Sequence, residues 1–362
     1  AYMELRKGDT LPPLAEDDSL VLENPLVRYE FSNDGTLISA FDKTVQRQLI
    51  SQGQCSNRFS LYSDVPNSFD AWNLDAIYKQ GPRHEAHCLG HSRRFTGPVR
   101  SFLRFEYTIG EKSSIQQKIM LAHDSKLLVF ENHVEWYETH RMLRVEFPLD
   151  ISSRYAAYEI PYATIMRPTY ENTSWESALH EVAFQRFIDL SDADYGVALL
   201  NDCKYGGKIY KNVIDVNLLR SPKYPDYHAD MGKHEFTYAL LPHERDLSHC
   251  GEVRAIATAL NRQPLIFDGL CGDGKLPLPC QVVSENVSFE VVKKAEKDDS
   301  TIIRLVENQG RRGKAVIHLA RTIKGITETD LVEWHDSTLL PLDDQTVELD
   351  FKPFEIRTFR LI

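Results

Sequence analysis

Apolar and polar residues alternate with a period of two along much of this 362-residue chain, and that rhythm constrains the fold more than any other feature. Side chains of an extended strand point to opposite faces in turn, so a period of two marks a sheet with one face on a core. Val27, Tyr29 and Phe31 share a face, with Arg28 and Glu30 between them, and Asn33-Asp34-Gly35 supplies a tight turn into a returning strand. Leu103, Phe105, Tyr107 and Ile109 alternate with Arg104, Glu106 and Thr108; residues 110–114 turn the chain and 115–121 run back. A further strand pair is expected at 128–137 and 142–151, with Leu143, Val145, Phe147 and Leu149 on one face. The pattern predicts antiparallel sheets wet on one side.

Past Pro168 the sequence loosens into a long polar segment, followed by strand candidates at 196–201, 213–219 and 236–241. A helix is expected at 251–262, where Val253, Ile256, Ala257 and Leu260 recur at helical spacing and Pro264 ends the run; it reads as a hinge between two β units. Three Gly and two Pro within 268–279 mark a linker or domain edge. Short strands at 287–293, 302–307, 313–319, 325–330, 347–351 and 356–361 then suit a small β-sandwich.

A formal charge of -11, spread over both halves, excludes a phosphate-backbone partner. No run of about 18 apolar residues exists to cross a bilayer, and the first residues lack the apolar core of a signal peptide. Six scattered cysteines without a C-x-x-C pair fit a reducing cytosol, although Cys271 and Cys280 are close enough for a loop disulfide. The sequons at Asn172 and Asn286 would matter only in a secreted protein.

Two segments look chemical. His84-Glu-Ala-His-Cys-Leu-Gly-His91 has zinc-type ligands, but the spacing is not H-E-x-x-H and Gly90 weakens any helix, so an ordinary sheet surface and no metal site are expected. Val65-Pro-Asn-Ser-Phe-Asp-Ala-Trp-Asn-Leu-Asp75 combines aromatic rings with carboxylates, the pairing that recognises sugars by stacking and bidentate hydrogen bonds.

Arg167-Pro-Thr-Tyr-Glu-Asn-Thr-Ser-Trp175, then Asp194-Tyr-Gly-Val-Ala-Leu-Leu-Asn-Asp-Cys-Lys-Tyr-Gly206 and Leu219-Arg-Ser-Pro222, resemble the late part of bacterial and cytosolic-type α-mannosidases of glycoside hydrolase family 38, over roughly residues 18–362. The resemblance implies a mainly β chain. Residues 1–17 would be a linker from a missing N-terminal part. Residues 18–265 would form a large antiparallel supersandwich like that of galactose mutarotases, and 266–362 a terminal β-sandwich.

The resemblance implies that the parent polypeptide is a retaining exo-α-mannosidase acting on mannose-containing oligosaccharides. Its zinc and its catalytic groups would sit in the missing N-terminal catalytic domain, which would be this chain's partner. No catalytic residue, cofactor or metal is expected here, and the chain alone should be inactive. The full enzyme is expected in the cytoplasm, as a possible homo-oligomer. Substrate-facing candidates are Asp70, Trp72, Arg220 and Asp226, with Asp230 and His234 in the same loop. Asn73 departs from the family pattern, which carries Asp there.

Each candidate has a structural alternative. Trp72 could plug a core edge, Asp70 could cap a turn, and Arg220 could tie loop carbonyls. The Arg167–Trp175 motif reads as architecture, with Glu171 accepting backbone donors, Asn172 bridging a turn and Trp175 buried against the sheet. Val291-Val-Lys-Lys-Ala-Glu296 resembles the family's terminal domain, where it reads as an edge strand guarded by lysines. A lectin-like binding module is the alternative function. An aldose epimerase needs a His and Glu pair that no His-containing segment sets up.

Overall fold

The computed structural model describes residues 13–90, 92–265, 280–320 and 323–362. His91, Cys271, the 268–279 linker and most of the 1–17 segment therefore lie outside the described residues.

The chain is mainly β, as expected, and among the described residues its strands form sheets of eleven, six, five, four and three strands. The period-two segments become long antiparallel ladders. Arg100–Ile109 pairs with Ser113–Ala122, which pairs with Leu128–Trp136, which pairs in turn with Gly232–Glu244. The tight turn before Thr36 has Gly35 at φ 78, where a Cβ would stand 1.9 Å from the Tyr107 hydroxyl, so glycine is required there on two counts.

One expected pairing is wrong. Leu128–Trp136 belongs to the eleven-stranded sheet, whereas Arg141–Pro148 pairs with Arg58–Ser63 and Val213–Arg220 in the six-stranded sheet. The short connection is a corner between sheets rather than a hairpin, because its groups are bound by other elements. Glu138 accepts from the Glu111 and Lys112 amides and the Ser113 hydroxyl, and the His140 amide donates to Ser221.

The two large sheets face each other across one core. Phe130 and Tyr238 from the eleven-stranded sheet pack on Phe147 from the six-stranded one, with ring centroids 5.8 and 5.9 Å apart. Asn57, Gln117 and Tyr238 form a buried hydrogen-bonded ring in that core, which Gln117 extends to Asn132, and a polar network of this kind is satisfied in only one register of the sheets.

The outer side of the six-stranded sheet is not wet, as alternation alone predicts. Arg144 is fully buried there, and Arg141–Pro148 is buried along nearly its whole length. The helix forms at Glu252–Asn261, but it does not stand free as a hinge. Val253 and Ala257 pack on Ala198, Leu200, Ala239 and Leu241 of the eleven-stranded sheet.

The last eighty residues have a separate apolar core built around Ile303, Ile317, Leu349 and Phe359. Val287–Lys294 is an edge of its five-stranded sheet, and Lys293 and Lys294 on it pair with Glu296, Glu333 and Asp299.

Candidate functional site

Three strand ends coincide at one rim of the six-stranded sheet. Ser63 faces Arg141, and Met142 faces Arg220, so the loops that leave Ser63, enter Arg141 and leave Arg220 emerge together. Backbone bonds lace them: the Asp64 amide donates to His140, and the Ser221 amide donates to Arg141.

Arg220 ends its strand and turns its guanidinium into the 64–75 loop. Its Nε donates to Asp64 at 2.6 Å, one terminal nitrogen donates to the Ala71 carbonyl at 3.4 Å, and the other donates to Asp70 and Asn73 carbonyls at 3.3 and 2.8 Å. A rigid fork committed this way fixes the loop and has little donor capacity left for a ligand. Asn73 takes part through its backbone carbonyl.

Asp70 makes the reciprocal tie. Its Oδ2 accepts from the amides of Lys223 (2.6 Å) and Tyr224 (3.2 Å), and it lies 3.1 Å from the His140 ring nitrogen. Burial alone would raise the carboxyl pKa, but the Lys223 amide and His140 outweigh it and hold the pKa below the ordinary value. Loops 64–75 and 221–231 are thus clamped by one guanidinium and one carboxylate.

The clamp holds aromatic rings outward. Phe69, Trp72, Tyr224 and Tyr227 are each about two-thirds exposed, so Trp72 does not plug a core edge. Phe69 sits at φ 57, a left-handed conformation that a bulky residue adopts only when its surroundings enforce it. Asp226 lies apart from the clamp, where it accepts from the His228 amide at 2.8 Å. Asp230 accepts from the Arg220 amide at 3.4 Å, and the His234 ring bonds the Asp230 carbonyl.

A second group, absent from the sequence reading, lies on the outer side of the same sheet under segments 76–85 and 169–184. Arg144 donates to Asp215 at 2.7 Å and to Glu181 at 2.5 Å, and its guanidinium lies 5.8 Å from the Tyr78 ring centroid. Arg58 and Arg83 both pair with Glu146, and Tyr62 donates to it at 3.1 Å. Burial, then the Glu146 charge, pushes the Tyr62 phenol up to about 12. The signal that could have located this layer is Arg144 and Glu146 themselves, charges inside an otherwise apolar strand.

The Arg167–Trp175 motif folds over this layer. Glu171 pairs with the buried Lys208 rather than with backbone donors. The Asn172 amide donates to Glu176, and Thr173 and Glu176 form a capping box at the start of the Ser174–Ala178 helix. Trp175, expected against the sheet, is 84% exposed, because the helix directs it away from the layer that its neighbours anchor.

The histidine-rich segment is divided between sheets: His84–Glu85 pairs with Arg58–Ser63, and His87–Cys88 pairs with Arg100–Ile109. Among the described residues no group of three His, Cys, Asp or Glu is gathered closely enough to hold a metal ion.

The fold and this rim define a two-unit β protein that presents a braced aromatic loop pair at the edge of a sandwich. Residues 22–228 match the Glycosyl hydrolases family 38 C-terminal domain, and residues 286–359 match the Glycosyl hydrolases family 38 C-terminal beta sandwich domain. The chain belongs to glycosyl hydrolase family 38 and represents its C-terminal region. It is 36% identical over 355 residues to mouse alpha-mannosidase 2C1, covering 96% of this chain and 34% of the relative. To alpha-mannosidase G of Dictyostelium discoideum it is 31% identical over 359 residues, covering 95% and 32%. The structure of an alpha-mannosidase from Enterococcus faecalis V583 superposes with a TM-score of 0.78 at 17% identity, over 99% of this chain and 43% of that one, which is a likeness of fold. The chain spans about a third of the length of these relatives.

Proposed function

We propose that this chain is the C-terminal β region of a retaining exo-α-mannosidase that removes terminal α-mannose from oligosaccharides, with its zinc and catalytic carboxylates on an N-terminal domain. The observation that carries the reading is the clamp of Arg220 and Asp70, which holds Trp72 and Phe69 outward beside Tyr224 and Tyr227. Rings fixed in advance stack on a sugar's C–H face without first losing loop entropy. Trp72 is the group proposed to contact sugar, and Arg220 and Asp70 position it. Asp226 has a further proposed role as a rim acceptor, since the His228 amide engages only its Oδ1.

No helix is long and apolar enough to cross a membrane among the described residues, and Cys55, Cys88, Cys203, Cys250 and Cys280 are free thiols. The cytoplasmic location of the enzyme is part of the same proposal. No step of the reaction is assigned to a metal on this chain.

The test is hydrolysis of nitrophenyl α-mannoside by the longest polypeptide the gene encodes and by residues 1–362 alone. The longer protein should be active and the 362-residue chain inactive, and Trp72→Ala in the longer protein should raise KM at least fivefold. Persistent activity of the 362-residue chain through repeated purification would overturn the proposal. Calorimetric binding of mannobiose by the 362-residue chain, lost in Trp72→Ala, would favour the lectin-like reading instead.

A further inference from the structure

Trp175 is the most exposed large apolar side chain of the described residues, yet the segment that carries it rests on buried charged groups. The segment that carries it is fastened at three points: Glu171 to buried Lys208, Lys208 again to the Leu179 carbonyl at 2.6 Å, and Glu181 to fully buried Arg144. The capping box fixes the helix turn between these anchors. An exposed indole on a loose loop would need no explanation; one held this rigidly is arranged as a preorganised contact anchor.

Other apolar side chains are exposed on the same layer. Ile77, Tyr170 and Leu179 are exposed on the two covering segments. Both segments close over the same guanidinium, since Arg144 lies 5.8 Å from the Tyr78 ring centroid of the first and donates to Glu181 of the second at 2.5 Å. Glu171 pairs with Lys208 and Glu181 with Arg144 and Asn217, while the Asn172 and Thr173 amides engage only Oε2 of Glu176, so two of the segment's three carboxylates are already held by other side chains. A protein surface is the chemistry that matches it.

From this geometry, and resting on the mannosidase reading above, we propose that the outer face of segment 169–184, with Trp175 as its anchor, docks the part of the polypeptide that the relatives carry beyond the third represented here. The occupant is named by length. Mouse alpha-mannosidase 2C1 is matched over 96% of this chain but only 34% of its own extent, leaving about two-thirds of such a polypeptide to be seated against something.

Hydroxyl-radical footprinting tests the assignment on the 362-residue chain and on the longest polypeptide the gene encodes. Trp334, 67% exposed in the small sandwich, serves as internal reference. Trp175 should oxidise at least tenfold more slowly in the longer protein, with Trp334 unchanged within twofold. Trp175→Ala in the longer protein should leave its circular dichroism intact while speeding proteolytic release of this region at least tenfold. Equal oxidation of Trp175 in both proteins overturns the proposal. So does concentration-dependent protection in the 362-residue chain, which would indicate a second copy, or protection by mannobiose, which would indicate a sugar. If the longer protein cleaves α-mannosides while Trp175 stays open, only the docking inference fails. If Trp175 is shielded without any mannosidase activity, the mannosidase reading fails instead. A gene that encodes nothing beyond these residues overturns both.

Discussion

Removing Arg220 should loosen the aromatic rim and leave the sheet beneath it in place. The guanidinium contacts Asp64 at 2.6 Å, with the Asp64 side chain 3% exposed and that of Arg220 17% exposed. Arg220→Ala leaves a nearly buried carboxylate without its counter-charge and frees three loop carbonyls. Breaking a buried ion pair from one side costs about 3–5 kcal/mol, and the partial exposure of Arg220 places this case near the lower end, about 3 kcal/mol. For a unit of this size each kcal/mol lowers Tm by about 2–4 °C, so a fall of about 6–12 °C is expected.

Much of that cost belongs to the stranded charge rather than to the lost bonds, and a double-mutant cycle separates the two. Asp64→Asn removes the charge, so adding it to Arg220→Ala should recover about half of the loss, a coupling of about 1.5 kcal/mol. Urea unfolding of the four proteins, followed by circular dichroism, gives the coupling directly. Limited proteolysis should at the same time show new cleavage confined to residues 64–75. A single variant within 1 °C of the parent, or strictly additive effects, would refute the clamp.

Other perturbations follow from the same kind of geometry. His243 lies 2.7 Å from Asp189 with both side chains essentially unexposed; burial would lower the imidazole pKa, but the carboxylate outweighs it and raises the value to about 10. The unfolded chain therefore releases a proton that the folded one keeps as pH rises from about 6.5 to about 10, so stability is fully present below this window and declines through it, by up to about 1.4 kcal/mol per pH unit. His243→Gln should flatten that slope in unfolding titrations, and an unchanged slope would show that His243 is not its source. Gly196→Ala should cost several kcal/mol, since a Cβ there would stand 2.1 Å from the Ser191 hydroxyl and 2.5 Å from the His243 ring; a variant with the parental Tm would contradict this packing. Glu176→Ala removes half of the capping box and should raise amide exchange at Asn172 and Thr173 with little change in global stability; protection left intact would show that the box does not hold Trp175 in place.

How far the sequence discloses this molecule depends on where each residue's partner lies. Strands such as Val27–Phe31 and Arg100–Ile109 are legible because one face meets a core and the other meets water, a condition that writes itself into alternation. Tyr155–Ile160 and Phe187–Ser191 are buried on both faces and carry Glu159 and Asp189 inside them, so the alternation vanishes. Those charges are tolerable only because Arg186 and His243 answer them from 27 and 54 residues away, and no local window contains both members of either pair. The corner at 137–140 misleads for a related reason: its shortness suggests a hairpin, while the bonds that open it go to Ser113 and Ser221.

The rim behaves the same way, with one difference that bears on function. Asp70, Trp72 and Arg220 could be singled out by residue type and family likeness, but their division of labour could not, because it is set by what each atom touches. Arg220 and Asp70 point into the protein and Trp72 points out, so the charged residues that look most like ligand binders are the ones that hold the loop. Trp175 inverts the expectation in the other direction. Its ring looks like core and lies on the surface, while Lys208 and Arg144, which look like surface, are buried beneath it. Charges inside and indoles outside, in one layer of one sheet, is the arrangement of a support that fixes a contact face: ion pairs set the position of the covering segments, and the rings meet whatever is brought to them.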